Sequence, residues 1–159
     1  YHTMLGDFDS SLGELRKVNV QAGAGGRSYM AFQKVPLKLK DFCQWMNTQL
    51  SDIDAGNVAD IYRLSFEAHY HLVTIHPWVD GNGRTTRLLM NILQHHFGVP
   101  MSRVPKSRKA EYIQALIDAR HAGDVAIFVN TMTTMLCDDL EEQIRNYEED
   151  TEPGDAGFR

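Results

Sequence analysis

The chain has 159 residues and a hydrophobic content of 43%, which is typical of one globular domain with its own core. The sequence contains no apolar run of about 18 residues, which excludes a long hydrophobic transmembrane helix from its pattern. The formal net charge is −5, and residues 138–159 hold nine acidic and only two basic residues. The rest of the chain is therefore close to neutral. It lacks the basic stripe that nucleic-acid-binding proteins carry.

The N-terminal third predicts a small β-hairpin. Residues 1–13 are irregular, whereas 14–21 alternate apolar and polar side chains as a strand does. A glycine-rich turn at 23–26 and a second strand at 27–33 would complete the hairpin, with Pro36 after its end.

The remainder predicts helices. Helical spacing begins at Leu37 and ends near Leu50, and Asn57 is a plausible cap for a helix through about Thr74. Three more helices are expected at 84–97, 107–121 and from Asp124 onward, with Asp124 as the cap of the last one. Apolar residues lie on most sides of 84–97, which predicts burial at the centre of the domain. The fold class is mainly α with one hairpin over residues 14–146, followed by an acidic, flexible tail at 147–159.

Cys43 and Cys137 lie in apolar surroundings in the sequence. The pattern favours two buried free thiols in a reducing compartment, and so a cytoplasmic protein.

The most informative stretch is residues 76–87, which reads His-Pro-Trp-Val-Asp-Gly-Asn-Gly-Arg-Thr-Thr-Arg. Gly81 and Gly83 permit positive φ, so backbone N–H groups can converge at the start of the following helix. Such a helix start binds anions, and guanidinium groups suit phosphate oxygens. Asp80 offers the oxygen ligand that Mg²⁺ takes beside phosphates, and His76 can accept a proton near neutral pH. The stretch indicates a nucleotide-phosphate site with a base beside it.

Three other interpretations of this stretch fit the residues less well. Asp-Gly and Asn-Gly are hairpin-turn signals, but the following residues have helical spacing and no partner strand. An EF-hand fails because Arg84 and Thr85 stand where the calcium loop needs a ligand and a glycine. A zinc cluster with His69 and His71 is disfavoured because side chains two residues apart on a helix point in different directions. His69 is instead expected to be a satisfied, partly buried histidine.

Together these residues resemble the motif of the Fic (Fic/Doc) family, whose usual form is His-x-Phe-x-Asp/Glu-Gly-Asn-Gly-Arg-x-x-Arg. Trp78 replaces the customary Phe as the apolar anchor, and the resemblance extends over about residues 10–137. It implies an adenylyltransferase that moves AMP from ATP to a Ser, Thr or Tyr hydroxyl of a target protein and releases pyrophosphate.

The resemblance also implies a role for each matched residue. His76 would be the general base, and Asp80 would hold Mg²⁺ at the α- and β-phosphates. The loop of Gly81, Asn82 and Gly83 would cradle the phosphates through its backbone and the Asn82 side chain. Arg84 would neutralise charge on the leaving side, and Arg87 would reach the γ-phosphate.

Two further sites follow from the same resemblance. Adenine would lie against Tyr112 and Leu116, although both also read as plain core residues. The hairpin would be a flap beside the active site that holds the target segment as an added strand. The flap residues expected to contact the target are Ser28, Tyr29, Met30, Ala31 and Phe32.

Regulation and assembly are less defined by the sequence. Many Fic proteins carry an inhibitory helix with Ser/Thr-x-x-x-Glu-Gly/Asn, and neither the stretch at 10–15 nor that at 107–112 matches it. The first residue is not Met, which favours a longer protein with that helix before residue 1. Homodimers are common in the family. The alternatives left open are removal of AMP, another Fic-type phosphate transfer, and a non-catalytic nucleotide-binding module.

Overall fold

The computed structural model describes residues 13–21 and 28–151, and helices account for most of them. The N-terminal edge segment and most of the predicted tail lie outside the described residues. The fold within the described part is mainly helical, as predicted. Its α-helices are α1 (Val35–Asp52), α2 (Val58–Ile75), α3 (Asn82–His96), α4 (Lys109–Ala122) and α5 (Val125–Thr151), with short 3₁₀ helices at Phe32–Lys34 and Lys106–Arg108.

The predicted β-hairpin is not confirmed. Gln21 and Ser28 form one isolated antiparallel bridge, and the Tyr29 amide donates to the Val20 carbonyl at 3.1 Å. The glycine turn between them lies outside the described residues. The expected second strand ends early, because Phe32 begins a 3₁₀ helix. Pro36 does not follow a strand but lies in the first turn of α1, where its missing N–H costs no helical hydrogen bond.

The helix boundaries follow from capping. The Asn57 carboxamide oxygen accepts from the Ala59 and Asp60 amides at 3.1 and 3.3 Å, and the Asp124 carboxylate accepts from Ala126 at 2.9 Å. Both predicted caps are confirmed. Gly123 ends α4 with φ of 68°, which glycine adopts without a Cβ penalty. The acidic C-terminal region is helical through Thr151, past the expected start of the tail.

The described chain divides into two compact units, with the boundary after Met101. In the first unit the helix at the centre is α2, not α3 as the sequence suggested. Eleven residues of α2 are buried, compared with five residues of α3. Leu88 and Ile92 on α3 are each 54% exposed, so one apolar face of that helix is open to solvent.

Two buried polar contacts join α2 to α3. The Gln94 amide donates to the Ser65 hydroxyl at 2.8 Å, and His69 is hydrogen bonded to the Thr86 backbone. His69 is nearer the C-terminus of α2 than Ser65, and its partner Thr86 is nearer the N-terminus of α3 than Gln94. The two helices are therefore antiparallel, and the turn between them contains residues 76–81.

Helix α1 packs on this pair through an apolar cluster. Met46, Leu64, Ala68 and Leu93 form its buried centre, and Phe42, Trp45, Ile53 and Leu89 lie around it. Burial of such side chains contributes about 1.5–3 kcal/mol each. This cluster packs α1 against the α2–α3 pair.

The second unit contains α4 and α5 with a core of its own. Phe128, Met132, Met135 and Leu136 on α5 are buried, and Tyr112 on α4 meets the Phe128 ring edge-on at 5.9 Å. The Arg103 guanidinium donates to Asp139, a carboxylate that is only 9% exposed. The methionines of α5, Met132 and Met135, are core residues.

Both cysteines are free and exposed, which corrects the prediction of buried thiols. Each follows an inward-facing residue, Phe42 or Leu136, and so points away from the core. No helix in residues 13–21 and 28–151 combines the length and hydrophobicity needed to span a membrane.

Candidate active site

His76 has an unusual backbone. It follows the last residue of α2 and has φ of 53° and ψ of 62°, the only positive φ at a non-glycine position in the described part of the chain. The left-handed conformation costs an L-residue about 1–2 kcal/mol. It persists where surrounding contacts over-determine it, and such residues cluster at active sites.

The imidazole of His76 is held on two sides. Its Nδ1 lies 3.2 Å from the Val73 carbonyl oxygen, so this nitrogen is the donor in the neutral ring and Nε2 carries the lone pair. The Tyr29 ring stacks on the imidazole with centroids 3.7 Å apart and planes 16° apart. The half-buried ring therefore has a defined tautomer and a defined orientation.

Arg16 fixes the backbone around His76, and sequence reasoning gave it no role. Its Nε donates to the His76 carbonyl at 2.7 Å, and its own amide donates to the Pro77 carbonyl at 2.9 Å. The guanidinium also donates to the Val18 and Met30 carbonyls at 2.9 and 2.6 Å. Burial lowers the pKa of Arg16. No local pattern in the sequence distinguished this arginine from the charged residues around it.

The loop after His76 is closed by Asn82. Its carboxamide oxygen accepts from the Trp78 amide at 3.0 Å, and its Nδ2 donates to the Trp78 carbonyl at 2.8 Å. Asn82 is 2% exposed, so both bonds are shielded from water. The side chain that was expected on a phosphate thus holds the loop shape, a role that sequence reasoning missed.

The two glycines of the loop serve different purposes. Gly81 precedes α3 with φ of 81°, as predicted from its freedom to adopt positive φ. Gly83 does not have positive φ, which corrects the prediction, because it already lies in the first turn of α3. A Cβ at Gly83 would stand 3.3 Å from the Arg87 guanidinium. Glycine is therefore favoured at position 83 because the Arg87 side chain lies close to it, and not because of its backbone conformation.

The charged residues of the motif lie at the start of α3. Arg84 donates to the Asp80 carboxylate at 3.1 Å, and the two side chains are 57% and 84% exposed. An exposed pair of this kind contributes little to stability, so both groups can exchange partners at small cost. Arg87 is half-buried one turn further along. The first N–H groups of α3 lack helical acceptors, so this end of the helix suits an anion.

The flap residues predicted to hold a target lie next to 19–21, and Tyr29 stacks on the His76 ring. The Met30 carbonyl accepts a hydrogen bond from the Arg16 guanidinium. The Phe32 amide donates to the Asn19 side chain at 3.0 Å. Ser28 and Ala31 are exposed.

The residues expected at adenine lie on α4 in the second unit. Tyr112 is 5% exposed and packs on Phe128, and Leu116, one turn later, is half-buried. Tyr112 is thus a core residue of its unit. Contact of either side chain with adenine stays a prediction.

His69 is fully buried rather than partly buried. Burial lowers its pKa to about 4, the hydrogen bond to the Thr86 backbone opposes that shift, and the Arg87 charge adds to it. The ring is neutral at pH 7. Among the described residues, no three His, Cys, Asp or Glu side chains come together as a metal-binding group.

Comparison with known proteins places these features in a family. The family model described as "Fic/DOC family" matches residues 1–94, more than half of the chain. "Protein adenylyltransferase Fic" of Drosophila grimshawi is 37% identical over 118 residues, and that of Drosophila melanogaster is 38% identical over the same length. Each alignment covers 74% of this chain.

Solved structures give the same result. Fic-1 (residues 134–508) from C. elegans is 29% identical with a TM-score of 0.70, over 87% of this chain and 38% of that one. A Fic-domain signalling protein from Bacteroides thetaiotaomicron is 25% identical with a TM-score of 0.66, over 78% and 51%. The chain spans less than a quarter of the length of the two Drosophila proteins, 23% and 22%. The matched family model, which covers more than half of the chain, and the identity to the Drosophila proteins show that this chain belongs to the Fic/DOC family.

Proposed function

We propose that this chain is a protein adenylyltransferase that transfers AMP from ATP to a Ser, Thr or Tyr hydroxyl of a target protein. The observation that carries the proposal is the setting of His76. Its Nδ1 is held by Val73, so Nε2 is the basic nitrogen, and six residues later α3 begins with an anion-binding end. The naming of the Drosophila relatives as adenylyltransferases supports the same reaction class.

His76 accepts the proton of the target hydroxyl at Nε2. The hydroxyl oxygen then forms a bond to the α-phosphorus of ATP, and the bond from that phosphorus to the bridging β-oxygen breaks. Pyrophosphate leaves, and AMP remains on the target. The Val73 carbonyl stabilises the imidazolium that forms, because it accepts the hydrogen bond from Nδ1.

The start of α3 binds the triphosphate. Backbone N–H groups of Gly81, Asn82 and Gly83 face the phosphates, and the Asn82 amide preserves the loop shape through Trp78. Arg84 leaves Asp80 to neutralise charge on the departing pyrophosphate, and Arg87 pairs with the γ-phosphate. Phosphoryl-group transfer depends mainly on such positioning and charge stabilisation.

The donor set suits Mg²⁺. Asp80 is an exposed carboxylate beside the phosphate-binding turn, and Mg²⁺ is usually bound by one or two carboxylates together with substrate phosphates. When bound, Mg²⁺ would neutralise phosphate charge at the α- and β-positions. Asp80 would hold it after release from Arg84.

The target would enter at residues 28–32, and contact of adenine with Tyr112 and Leu116 stays a prediction. The Tyr29 amide donates a hydrogen bond to the Val20 carbonyl at 3.1 Å, and an added target strand would pair through main-chain hydrogen bonds of the same kind. Such pairing sets the register of the target without demanding a particular side-chain sequence.

The proposal is tested by transfer of label from α-labelled ATP with Mg²⁺ to the protein itself and to proteins of a matched lysate. His76→Asn is the main variant, since Asn tolerates the left-handed backbone better than most residues. Its transfer rate is expected to fall about 10²–10⁴-fold, the contribution of a general base, while ATP affinity is kept. His121→Asn, an exposed histidine at the end of α4, is the matched control.

The outcomes separate the alternatives. Loss of label in His76→Asn alone supports adenylylation. ATP binding without label in the unaltered chain contradicts AMP addition; release of AMP from an adenylylated protein would then establish the reverse reaction, and no release would leave a nucleotide-binding module. Asp80→Asn is expected to raise the Mg²⁺ concentration required for transfer. An unchanged requirement would contradict Asp80 as the metal ligand.

A further inference from the structure

One buried arginine connects the candidate base to the segment beside it. Arg16 is 3% exposed, and four of its nitrogen atoms, one backbone and three guanidinium, donate to carbonyl oxygens. Two of those carbonyls belong to His76 and Pro77, and a third belongs to Met30. Residues distant in sequence are thus joined through one side chain.

The contact with His76 lies where the backbone is least favourable. The carbonyl of His76 belongs to the residue in the left-handed conformation, and Arg16 Nε holds it at 2.7 Å. The next carbonyl along, that of Pro77, is held by the Arg16 amide at 2.9 Å. Two bonds on consecutive peptide groups fix the direction in which the chain leaves α2.

The contact with Met30 acts on the ring. Met30 follows Tyr29, whose ring lies 3.7 Å from the imidazole of His76 and nearly parallel to it. The guanidinium therefore holds the backbone carbonyl of His76 and that of Met30, the residue next to Tyr29. It fixes the backbone at one stacked residue and next to the other. A planar fork with several donors can hold carbonyls in different directions, which a lysine ammonium on a flexible stem cannot do with the same geometry.

We infer that Arg16 is a positioning residue for His76: it holds the left-handed backbone of the base and seats Tyr29 on the face of its imidazole. This inference rests on the proposed transfer reaction, in which Nε2 must meet a hydroxyl. Displacement of a reacting group by about 1 Å can lower a rate about 100-fold. Arg16 acts on the orientation of the base, because its four donors hold backbone carbonyl oxygens.

The test compares Arg16→Lys with Arg63→Lys. Arg63 is an exposed arginine on α2 that pairs with Asp60, so the control makes the same exchange away from the site. Arg16→Lys is expected to lower kcat about 100-fold with ATP affinity kept within about threefold, because orientation and not binding is lost. Arg63→Lys is expected to leave both unchanged. A fall in kcat of less than about threefold in Arg16→Lys, or an equal loss of ATP binding and turnover, overturns the inference.

A spectroscopic arm does not depend on turnover. The stacked Tyr29 ring is expected to shift the His76 ring-proton resonances upfield in NMR spectra, and those resonances are identified by their absence in His76→Asn. Arg16→Lys and Tyr29→Leu are both expected to move them toward the positions of an unstacked histidine. Unchanged resonances in Arg16→Lys contradict the inference even if the chain transfers no AMP, so the two proposals fail separately.

A second pair of variants covers the case in which Arg16→Lys does not fold. Tyr29→Phe keeps an aromatic face on the imidazole, whereas Tyr29→Leu does not. The loss of kcat is expected to be at least about tenfold greater in Tyr29→Leu than in Tyr29→Phe, with similar ATP affinity. Equal losses in the two variants would show that stacking does not position the base.

Discussion

At the scale of single residues, the turn at His76 places each type of side chain where its local chemistry is needed. His76 itself takes on left-handed backbone strain, Asn82 satisfies both polar groups of the Trp78 backbone, and Gly81 supplies the positive φ that lets α3 begin. Strain at the base and paired backbone groups at Pro77 and Trp78 occur together. These hydrogen bonds help the loop to hold a strained residue.

The two glycines provide a matched prediction. Gly81→Ala should lower the free energy of unfolding by about 1–2 kcal/mol, because a Cβ disfavours φ of 81°. Gly83→Ala should leave stability equal or up to about 1 kcal/mol higher, because alanine is the better residue inside a helix. Its Cβ would press on the Arg87 guanidinium at 3.3 Å, so ATP affinity should fall. Urea unfolding and ATP titration of both variants measure these effects.

The opposite ranking would contradict the assignment. If Gly83→Ala destabilised the fold more than Gly81→Ala, the two glycines would not differ as the backbone angles indicate. If Gly83→Ala kept full ATP affinity, the place of Arg87 in phosphate binding would be wrong.

At the scale of helices, the α2–α3 pair is joined by polar contacts inside an apolar interface. Gln94 and Ser65 satisfy one another, and His69 reaches the Thr86 backbone. Buried polar groups with partners fix register, because a displaced helix would leave them unpaired. The same register sets the distance between the end of α2, where His76 lies, and the start of α3.

His69 makes this interface sensitive to pH. Its pKa is held at about 4 by burial, against an ordinary 6.5, so between these values the unfolded chain binds a proton that the folded chain does not. Protonation linked to His69 therefore leaves the free energy of unfolding unchanged above about pH 6.5. It lowers that free energy by about 3 kcal/mol in total as pH falls toward 4. From pH 7 to pH 5 the loss attributable to His69 should be about 2 kcal/mol.

Chemical denaturation at pH 7 and pH 5 measures that loss. His69→Gln should show a smaller decrease between the two pH values than the unaltered chain, whatever its stability at pH 7. His121→Gln, at an exposed position, should show the same decrease as the unaltered chain. An identical decrease in His69→Gln would mean that groups other than His69 determine the acid sensitivity.

At the scale of the whole molecule, the two compact units each have a core. Phe66 is fully buried in the first unit and Phe128 is fully buried in the second. The candidate base, loop and flap belong to the first unit, and the expected adenine residues belong to the second. Each unit can therefore be perturbed through its own aromatic residue.

Phe66→Ala and Phe128→Ala should each lower the free energy of unfolding by about 3–5 kcal/mol, since each removes a buried ring and leaves a cavity. Hydrogen exchange should locate the effect. In Phe128→Ala, amides of α4 and α5 are expected to exchange faster by a larger factor than those of α2, and in Phe66→Ala the reverse. Thr133→Ala, exposed on α5, is the control. Equal acceleration in both units by either variant would mean that the chain opens only as a whole.

The amino-acid sequence by itself determined the features that depend on neighbouring residues. The motif at 76–87, the helical periodicities and the caps at Asn57 and Asp124 all depend on local spacing and side-chain chemistry, and the structure confirms those caps. The family could be identified for the same reason, because its motif is contiguous. The position of Gly83 inside α3 was missed because helix starts differ by a residue or two from the pattern that predicts them.

The tertiary structure alone decided which distant residues meet the base. Arg16 and His76 are 60 residues apart, and their hydrogen bond leaves no periodic or local trace in the sequence. The same holds for Tyr29 on the imidazole. The sequence likewise favoured α3 as the central helix, because periodicity shows that a face is apolar but not which helix covers it. Burial is settled only when the chain has packed, and packing made α2 the centre and left Leu88 and Ile92 in solvent.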